Sequence, residues 1–449
     1  MTSKRTYKTV SVQQLDAGKI AEATGQACVV AIDVAKTKMV VGFGTGDGQC
    51  IQIARFEHPR QTQLFLKFLH MLGELGVEMS VVMEPTGVYG DSLRHQLSMM
   101  GLHVFRMDAK KVHDAAELLD GVPSLHDAKA CTLLIHLHAQ GLSRAWRERG
   151  ELESAMRSLV DEREIFSCPF QRCFGQLEAI VARHWPELCE ELDFQRSWHL
   201  HLLSEFGSAA NVAAHQERAA ALLKRTTHGK LSADRIKHIM ELSICSLGVP
   251  MSEHEQNRVH ALTQNMLDLR VKFRKVERRI EVELSKHEAL HKLVETFGAV
   301  TTAVVLADVG NPAAFTCTGA FEKALGLNLK IRSSGNHTGE KSLHITKRGA
   351  PRVRRYLFLA ALRFIASDEL TKRWYMSRTS FHSGIKLKAV IAVMRKLARA
   401  MVHVARGKDF DATKLFDVRR LMAPHSHNAS SASSAAQSLA ASSGRASLS

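Results

Sequence analysis

Three short apolar, β-branched runs open the first third of the chain, and none is long enough to be a helix. Cys28–Ile32 ends in Asp33, Met39–Phe43 follows, and Ile51–Phe56 alternates. Gly42, Gly44, Gly46, Asp47 and Gly48 lie in the gaps, as hairpin connections require. The period then changes. Gln61–Leu75 carries Leu64, Phe65, Phe68, Leu69 and Leu72 on one helical face. Met79–Met83 is a buried-strand run ending in Glu84, Tyr89–Met100 reads as helix, and Leu102–Arg106 reads as a fifth strand. A last helix starts near Leu125 with Leu133, Leu134 and Leu137 inward. Residues 1–26 are polar and read as a loose lead-in.

Three antiparallel strands, then helix, strand, helix, strand, helix, is the order of a ribonuclease-H-like sheet. That architecture sets carboxylates at the end of the first strand, at the end of the fourth, and on the last helix. Asp33, Glu84 and Asp127 occupy those places. Clustered carboxylates repel one another, and hard oxygen ligands with open water positions suit Mg2+ or Mn2+. Such an ion activates a nucleophile and stabilises a leaving oxygen at phosphorus. Taken singly, each acid has a plainer reading as a turn former or helix cap. Actin-like kinases share the strand order, but they need a duplicated second half, which the sequence lacks.

The stretch Ala324–Arg355 carries a different chemistry. Ser333-Ser334-Gly335 is preceded by Lys330 and Arg332 and followed by Lys341, Lys347, Arg348, Arg352, Arg354 and Arg355, with Glu340 the only acid. Guanidinium groups grip phosphate through paired, charge-assisted hydrogen bonds, and the field eases formation of an attacking alkoxide. The plainer reading is a basic loop on nucleic-acid backbone, with Ser334 capping a turn.

Composition narrows the partner. The net charge of +16 and pI near 9.6 call for a polyanion, most simply DNA or RNA. No apolar run is long enough to span a bilayer, so no membrane partner is expected. The first residues lack the apolar core of a signal peptide. Cys168 and Cys173 are the closest of eight cysteines, with no second pair to complete a zinc pattern. Reduced thiols in a cytoplasmic protein are expected.

AIDVAK (Ala31–Lys36), MEPTGVYG (Met83–Gly90) and SLHDAKA (Ser124–Ala130) resemble the three acidic motifs of the RuvC-like domain in the 110/1111 family of insertion-sequence transposases. ALGLNLKIRSSG (Ala324–Gly335), ITKRGAPRVRRYL (Ile345–Leu357) and Lys386–Gly407 resemble that family's second signature. Pilin-switching DNA invertases are close to it. The resemblance implies one composite active site, in which a serine attacks the scissile phosphate and joins covalently to DNA while the acids hold Mg2+. By motif position Asp33, Glu84 and Asp127 are the metal-site acids and Ser334 is the nucleophile, with Ser333 the alternative. It further implies a homodimer or homotetramer and, as in several members, a non-coding bridge RNA that guides the choice of DNA. The family's last helix carries Asp-x-x-Asp, but here Ala130 stands at the fourth acid. Either three acids suffice with water completing the metal shell, or Asp120 or Asp114 substitutes from the preceding loop, or the chain has lost cleavage and only binds. A plain metal-dependent RuvC-like nuclease is a further alternative.

The expected fold class is α/β plus all-α. The divisions are a lead-in at 1–26, a RuvC-like domain at 27–145, a helical segment at 146–250, a coiled-coil arm at 251–296, a serine domain at 297–420, and a disordered Ser/Ala-rich tail at 421–449. Trp185-Pro186 and Gly207 mark breaks in the helical segment. The arm rests on Leu262, Met266, Leu269, Phe273, Val276 and Ile280, which alternate at four- and three-residue steps. Arg270, Lys272, Arg274, Lys275, Arg278 and Arg279 lie outside that seam. A dimerising arm that follows nucleic-acid backbone and a long helix packed within one subunit both fit. Phe297-Gly298-Ala299-Val300 is a degraded form of the family's Gly-x-Gly phosphate turn. Lys386, Lys388, Arg395 and Lys396 belong to a basic helix that would line the nucleic-acid path.

Overall fold

The computed structural model describes residues 7–85, 87–193, 196–332, 342–379 and 386–417. They form two compact units, one through Glu148 and one from Arg149. In the first unit the elements are β1 (Thr9–Ser11), α1 (Ala17–Thr24), β2 (Ala27–Asp33), β3 (Lys38–Thr45), β4 (Cys50–Glu57), α2 (Thr62–Glu74), β5 (Glu78–Met83), α3 (Asp91–Met99), β6 (His103–Arg106), α4 (Ala109–Asp120), α5 (Asp127–Ala139) and β7 (Arg144–Ala145).

Their seven strands form one mixed sheet in the order β1-β4-β3-β2-β5-β6-β7. β2, β3 and β4 are antiparallel neighbours, while β5 runs parallel to β2 and β6 parallel to β5. β2 is covered on both faces, and its side chains alternate as the pleat demands. Cys28, Val30 and Ile32 pack with α1, α2 and α3; Val29 and Ala31 pack with α4 and α5.

Three details differ from the sequence reading. Part of the expected lead-in is built into the fold: β1 pairs in parallel with β4, and Val12, Ala17 and Ile20 are buried. Its partner is distant in sequence, so no local periodicity announces it. Gly42 and Gly44 are strand residues of β3 rather than hairpin residues. They lack side chains because α5 lies against them. A Cβ at Gly44 would stand 2.6 Å from Ile135 Cγ2 and 2.6 Å from the Gln49 carbonyl oxygen. Finally, α4 intervenes between β6 and α5 with a weak apolar face, Val112 and Ala116.

The second unit begins with α6 (Glu151–His184) and a group of short helices, α7 (Pro186–Cys189), α8 (Trp198–Phe206), α9 (Ala209–Ala214), α10 (Gln216–Thr226) and α11 (Ala233–Ile244). After α12 (Glu253–Ser285) come α13 (His291–Phe297), α14 (Ala299–Asp308), α15 (Thr318–Ala324), β8 (Leu329–Arg332), β9 (Ser342–Ile345), α16 (Pro351–Ser367), α17 (Glu369–Thr379) and α18 (Lys386–Ala405). The breaks expected at Trp185-Pro186 and Gly207 fall at helix ends.

α12 does not stand free as an arm. It lies antiparallel on α6, tied by Arg163 to Glu277 at 2.5 Å and by Arg279 to Glu162 at 2.7 Å. Its seam is covered by this chain: Met266, Leu269 and Phe273 join a core with α6, α8, α10 and α11, and Val276 and Ile280 join one with α6, α14, α16 and α18. A four-three apolar pattern records a partner helix without saying whose it is. Arg270, expected outside, is 8% exposed and donates to the Arg196 carbonyl at 3.1 Å.

Candidate active site

In β2 and β5 Ile32 pairs with Met83, so Asp33 and Glu84 leave two adjacent parallel strands at the same end of the sheet. Asp127 opens α5. The first turns of that helix are fixed over the strand end by Cys131, whose thiol donates to the Val40 carbonyl at 3.3 Å, and Val40 is the residue paired with Asp33. Asp127 lies four residues before Cys131, one turn along the same helical face. Lys129 holds the loop that delivers α5. It is 1% exposed, and its Nζ donates to Asp120 Oδ1 at 2.6 Å, to the Val122 carbonyl at 2.6 Å and to the Ser124 carbonyl at 3.1 Å.

The acids sense one another. Burial, and then the charge of Asp127, push the Asp33 carboxyl up to about 6. Burial, and then the charges of Asp33 and Asp108, push Glu84 up to about 7. Among the described residues no three His, Cys, Asp or Glu side chains stand close enough together to hold an ion as placed. The chemistry of the donor set still suits a hard divalent cation, since all three donors are carboxylates and two of them, Asp33 and Glu84, are raised by burial and by neighbouring acids.

Asp108 was missed in the sequence. It follows β6, where Met107 N–H donates to the Met83 carbonyl at 2.9 Å, and it caps α4 by accepting from Lys110 N–H at 3.0 Å. The rule that found Asp33 and Glu84, an acid just beyond a strand end, would have found it. The other stand-ins are taken: Asp120 by Lys129 and by Tyr7 Oη at 3.0 Å, and Asp114 by Lys110 at 2.8 Å. Ala130 is 4% exposed, so in this chain its position is a packing position.

In the second unit β8 and β9 pair antiparallel, with Arg332 opposite Ser342. The loop between them, with Ser333, Ser334 and Lys341, lies outside the described residues, as does the side chain of Arg332. The hairpin base is tight. A Cβ on Gly326 would meet the Arg348 carbonyl oxygen at 2.6 Å, and one on Gly349 would meet that of Ala324 at 2.4 Å. Lys330, Lys347, Arg348, Lys386 and Lys388 are exposed.

Five residues expected on nucleic acid are instead engaged within the chain. Arg352 reaches Asp308, which is 3% exposed, at 2.6 Å through Nη2 and also pairs with Asp161. Arg355 pairs with Glu164, and Arg354 donates to the Gly349 carbonyl at 2.8 Å. Arg395 pairs with the buried Glu322. Lys396 donates to the Leu415 carbonyl beside the rings of Trp374 and Phe416. Apart from Arg354, each is a cation whose anionic or carbonyl partner lies far away in sequence.

Among the described residues no single helix is long and apolar enough to cross a membrane. Residues 292–376 match the family model described as Transposase IS116/IS110/IS902 family. No curated protein matches the chain. The family match supports a transposase activity, with DNA as the partner that activity requires.

Proposed function

We propose that the chain is a DNA transposase or site-specific recombinase that cuts and rejoins strands through a serine–DNA intermediate. The observation that supports the reading is that Asp33 and Glu84 leave adjacent strands at one sheet end, with the Asp127 charge acting on Asp33, in a chain whose serine-bearing segment matches a transposase family. The sheet order β4-β3-β2-β5-β6, with β1 and β7 at the edges, supports reading the first unit as a ribonuclease-H-like, RuvC-like domain.

In this reading Ser334 Oγ attacks the scissile phosphorus. The Oγ–P bond forms, the P–O bond to the leaving nucleoside breaks, and the serine proton ends on the leaving oxygen. A second nucleoside hydroxyl then reverses the exchange and frees the serine. Asp33, Glu84 and Asp127 would hold Mg2+ or Mn2+, which supplies charge neutralisation at a phosphate. Asp108 supplies the extra carboxylate that Ala130 does not. Lys330, Lys347, Arg348, Lys386 and Lys388 hold backbone phosphates. Assembly as a homodimer or homotetramer and guidance by a bridge-type RNA complete the proposal.

The test is a denaturing gel of protein incubated with Mg2+, the element's end sequences and co-expressed RNA. A covalent protein–DNA adduct is expected for wild type and Ser333→Ala and absent for Ser334→Ala. An adduct that survives Ser334→Ala overturns the assignment of the nucleophile.

A further inference from the structure

The excess positive charge belongs to the second unit. Residues 1–148 hold 16 Lys and Arg against 15 Asp and Glu, whereas residues 149–449 hold 45 against 30. Much of the charge that α16 was expected to offer is neutralised inside the chain, Arg352 by Asp308 and Asp161 and Arg355 by Glu164. The α6/α12 pair has cations to spare.

Two grooves run along this pair, of about 510 and about 580 Å3. The first is lined by Arg172, Gln176 and Arg183 of α6 with Arg258 of α12; the second by Glu162 of α6 with Lys275, Arg278 and Arg279 of α12. Glu162, Gln176 and Arg183 are separated by multiples of seven, as are Arg258, Lys272 and Arg279. In an antiparallel pair wound at a seven-residue repeat, equal heptad positions share a face. Both grooves therefore lie on one side of the pair. From Arg258 to Arg279 that side runs roughly 30 Å at the helical rise.

The acids in the grooves are mostly occupied. Glu162 is taken by Arg279 at 2.7 Å, Glu255 by His184 at 3.3 Å and Arg183 at 3.5 Å, and Glu283 by Lys286 at 2.6 Å. Asp268 is the remaining acid on this side of α12. Arg172, Arg258, Lys272, Lys275 and Arg278 are exposed and pair with no carboxylate among the described residues. A face built this way repels a second copy of itself, because cation would meet cation. It complements a straight polyanion, and its length is close to one turn of duplex, about 34 Å.

We propose that this face of the α6/α12 pair binds the sugar–phosphate backbone of duplex DNA. The assignment rests on the transposase reading only in taking DNA as the partner. Its cations reach phosphates rather than base edges, so the face holds DNA without choosing its sequence.

The experiment titrates full-length protein with a labelled 40-base-pair duplex across NaCl concentrations, in EDTA so that no chemistry intervenes. The variant K272Q/K275Q/R278Q is compared with wild type. Affinity is expected to fall at least tenfold, and the slope of log affinity against log salt to shrink by about three, near 0.9 for each lost phosphate contact. The charge-preserving K272R/K275R/R278K is expected to keep the wild-type slope. A triple-Gln slope equal to wild type overturns the proposal while leaving the transposase reading intact. Failure of wild type to bind any duplex overturns both. Should the triple variant unfold, R172Q/R258Q in the other groove is expected to lower the slope by about two, and an unchanged slope there overturns the proposal. A loss confined to an RNA hairpin of equal length overturns the choice of DNA.

Discussion

Met107 N–H donates to the Met83 carbonyl at 2.9 Å, continuing the β5–β6 pairing by one residue beyond Arg106. The consequence is that Glu84 and Asp108 leave neighbouring parallel strands at one end of the sheet, and the Asp108 charge helps to hold the Glu84 proton. Asp108→Asn separates charge from structure, because Asn caps a helix about as well as Asp. The variant is expected to fold normally, to move the Glu84 titration downward from about 7, and to weaken stabilisation by Mn2+ severalfold. Carboxyl NMR titration and thermal shift against Mn2+ concentration check it. An unchanged Glu84 titration would remove Asp108 from the site.

The raised carboxyls make a signed statement about pH. Unfolded, Asp33 and Glu84 titrate in the ordinary range near 4. Folded, they keep their protons up to about 6 and about 7. The folded state thus binds more protons between those limits. The stability these groups contribute is complete below about pH 4 and is lost as pH rises through about 7. Glu84→Gln should therefore lose less stability between pH 5 and 8 than wild type, as followed by urea unfolding across pH. Mg2+ at pH 8 should raise the wild-type melting temperature and raise that of Glu84→Gln less. Parallel pH profiles for the two proteins would refute the burial of Glu84.

Arg352 illustrates a basic residue whose role the sequence concealed. Its guanidinium meets Asp308 through Nε at 2.9 Å and Nη2 at 2.6 Å, and Arg157 reaches the same carboxylate at 2.6 Å. Arg352→Met leaves Asp308 buried with one partner instead of two. We expect a loss of about 2–4 kcal/mol in unfolding free energy, the scale of a broken buried ion pair. The salt slope of DNA binding should not move. A stable Arg352→Met protein with a slope lowered by about one would return Arg352 to the phosphate-binding set.

The strands, the two acids at their ends and the acid that opens α5 were legible because each leaves a local mark: a short apolar run, or a charge at the boundary of an element. What could not be read depends on pairing across distance. Val12 and Ile20 look like scattered apolar residues until β1 finds β4. The α12 seam specifies a helix partner, and only the fold identifies it as α6. Arg352, Arg355 and Arg395 carry the same sequence signal as Lys347 and Lys386, which stay in solvent, since carboxylates at Asp308, Glu164 and Glu322 claim the first three. Asp108 carries the same mark as Asp33 and Glu84, an acid just beyond a strand, but α4 behind it buries only Val112 and Ala116 and leaves Leu118 exposed.

The two strand glycines under α5 give a graded test of how closely that helix must approach. At Gly42 an added Cβ would meet Cys131 Cβ and Ile135 Cδ1 at 3.1 Å; Ile135 can turn its side chain away, and the contact with Cys131 needs a shift of only a few tenths of an ångström. At Gly44 it would meet Ile135 Cγ2 and the Gln49 carbonyl oxygen at 2.6 Å, and the latter is backbone. Gly44→Ala must therefore shift α5 or the β3–β4 turn, at a cost of about 1–3 kcal/mol, and Gly42→Ala should cost less. Because α5 carries Asp127, the Gly44 change is also expected to weaken Mn2+ binding and adduct formation together. Thermal unfolding and Mn2+ titration of both variants read this out. Equal effects at the two positions would show that close packing of α5 on β3 does not set the position of Asp127.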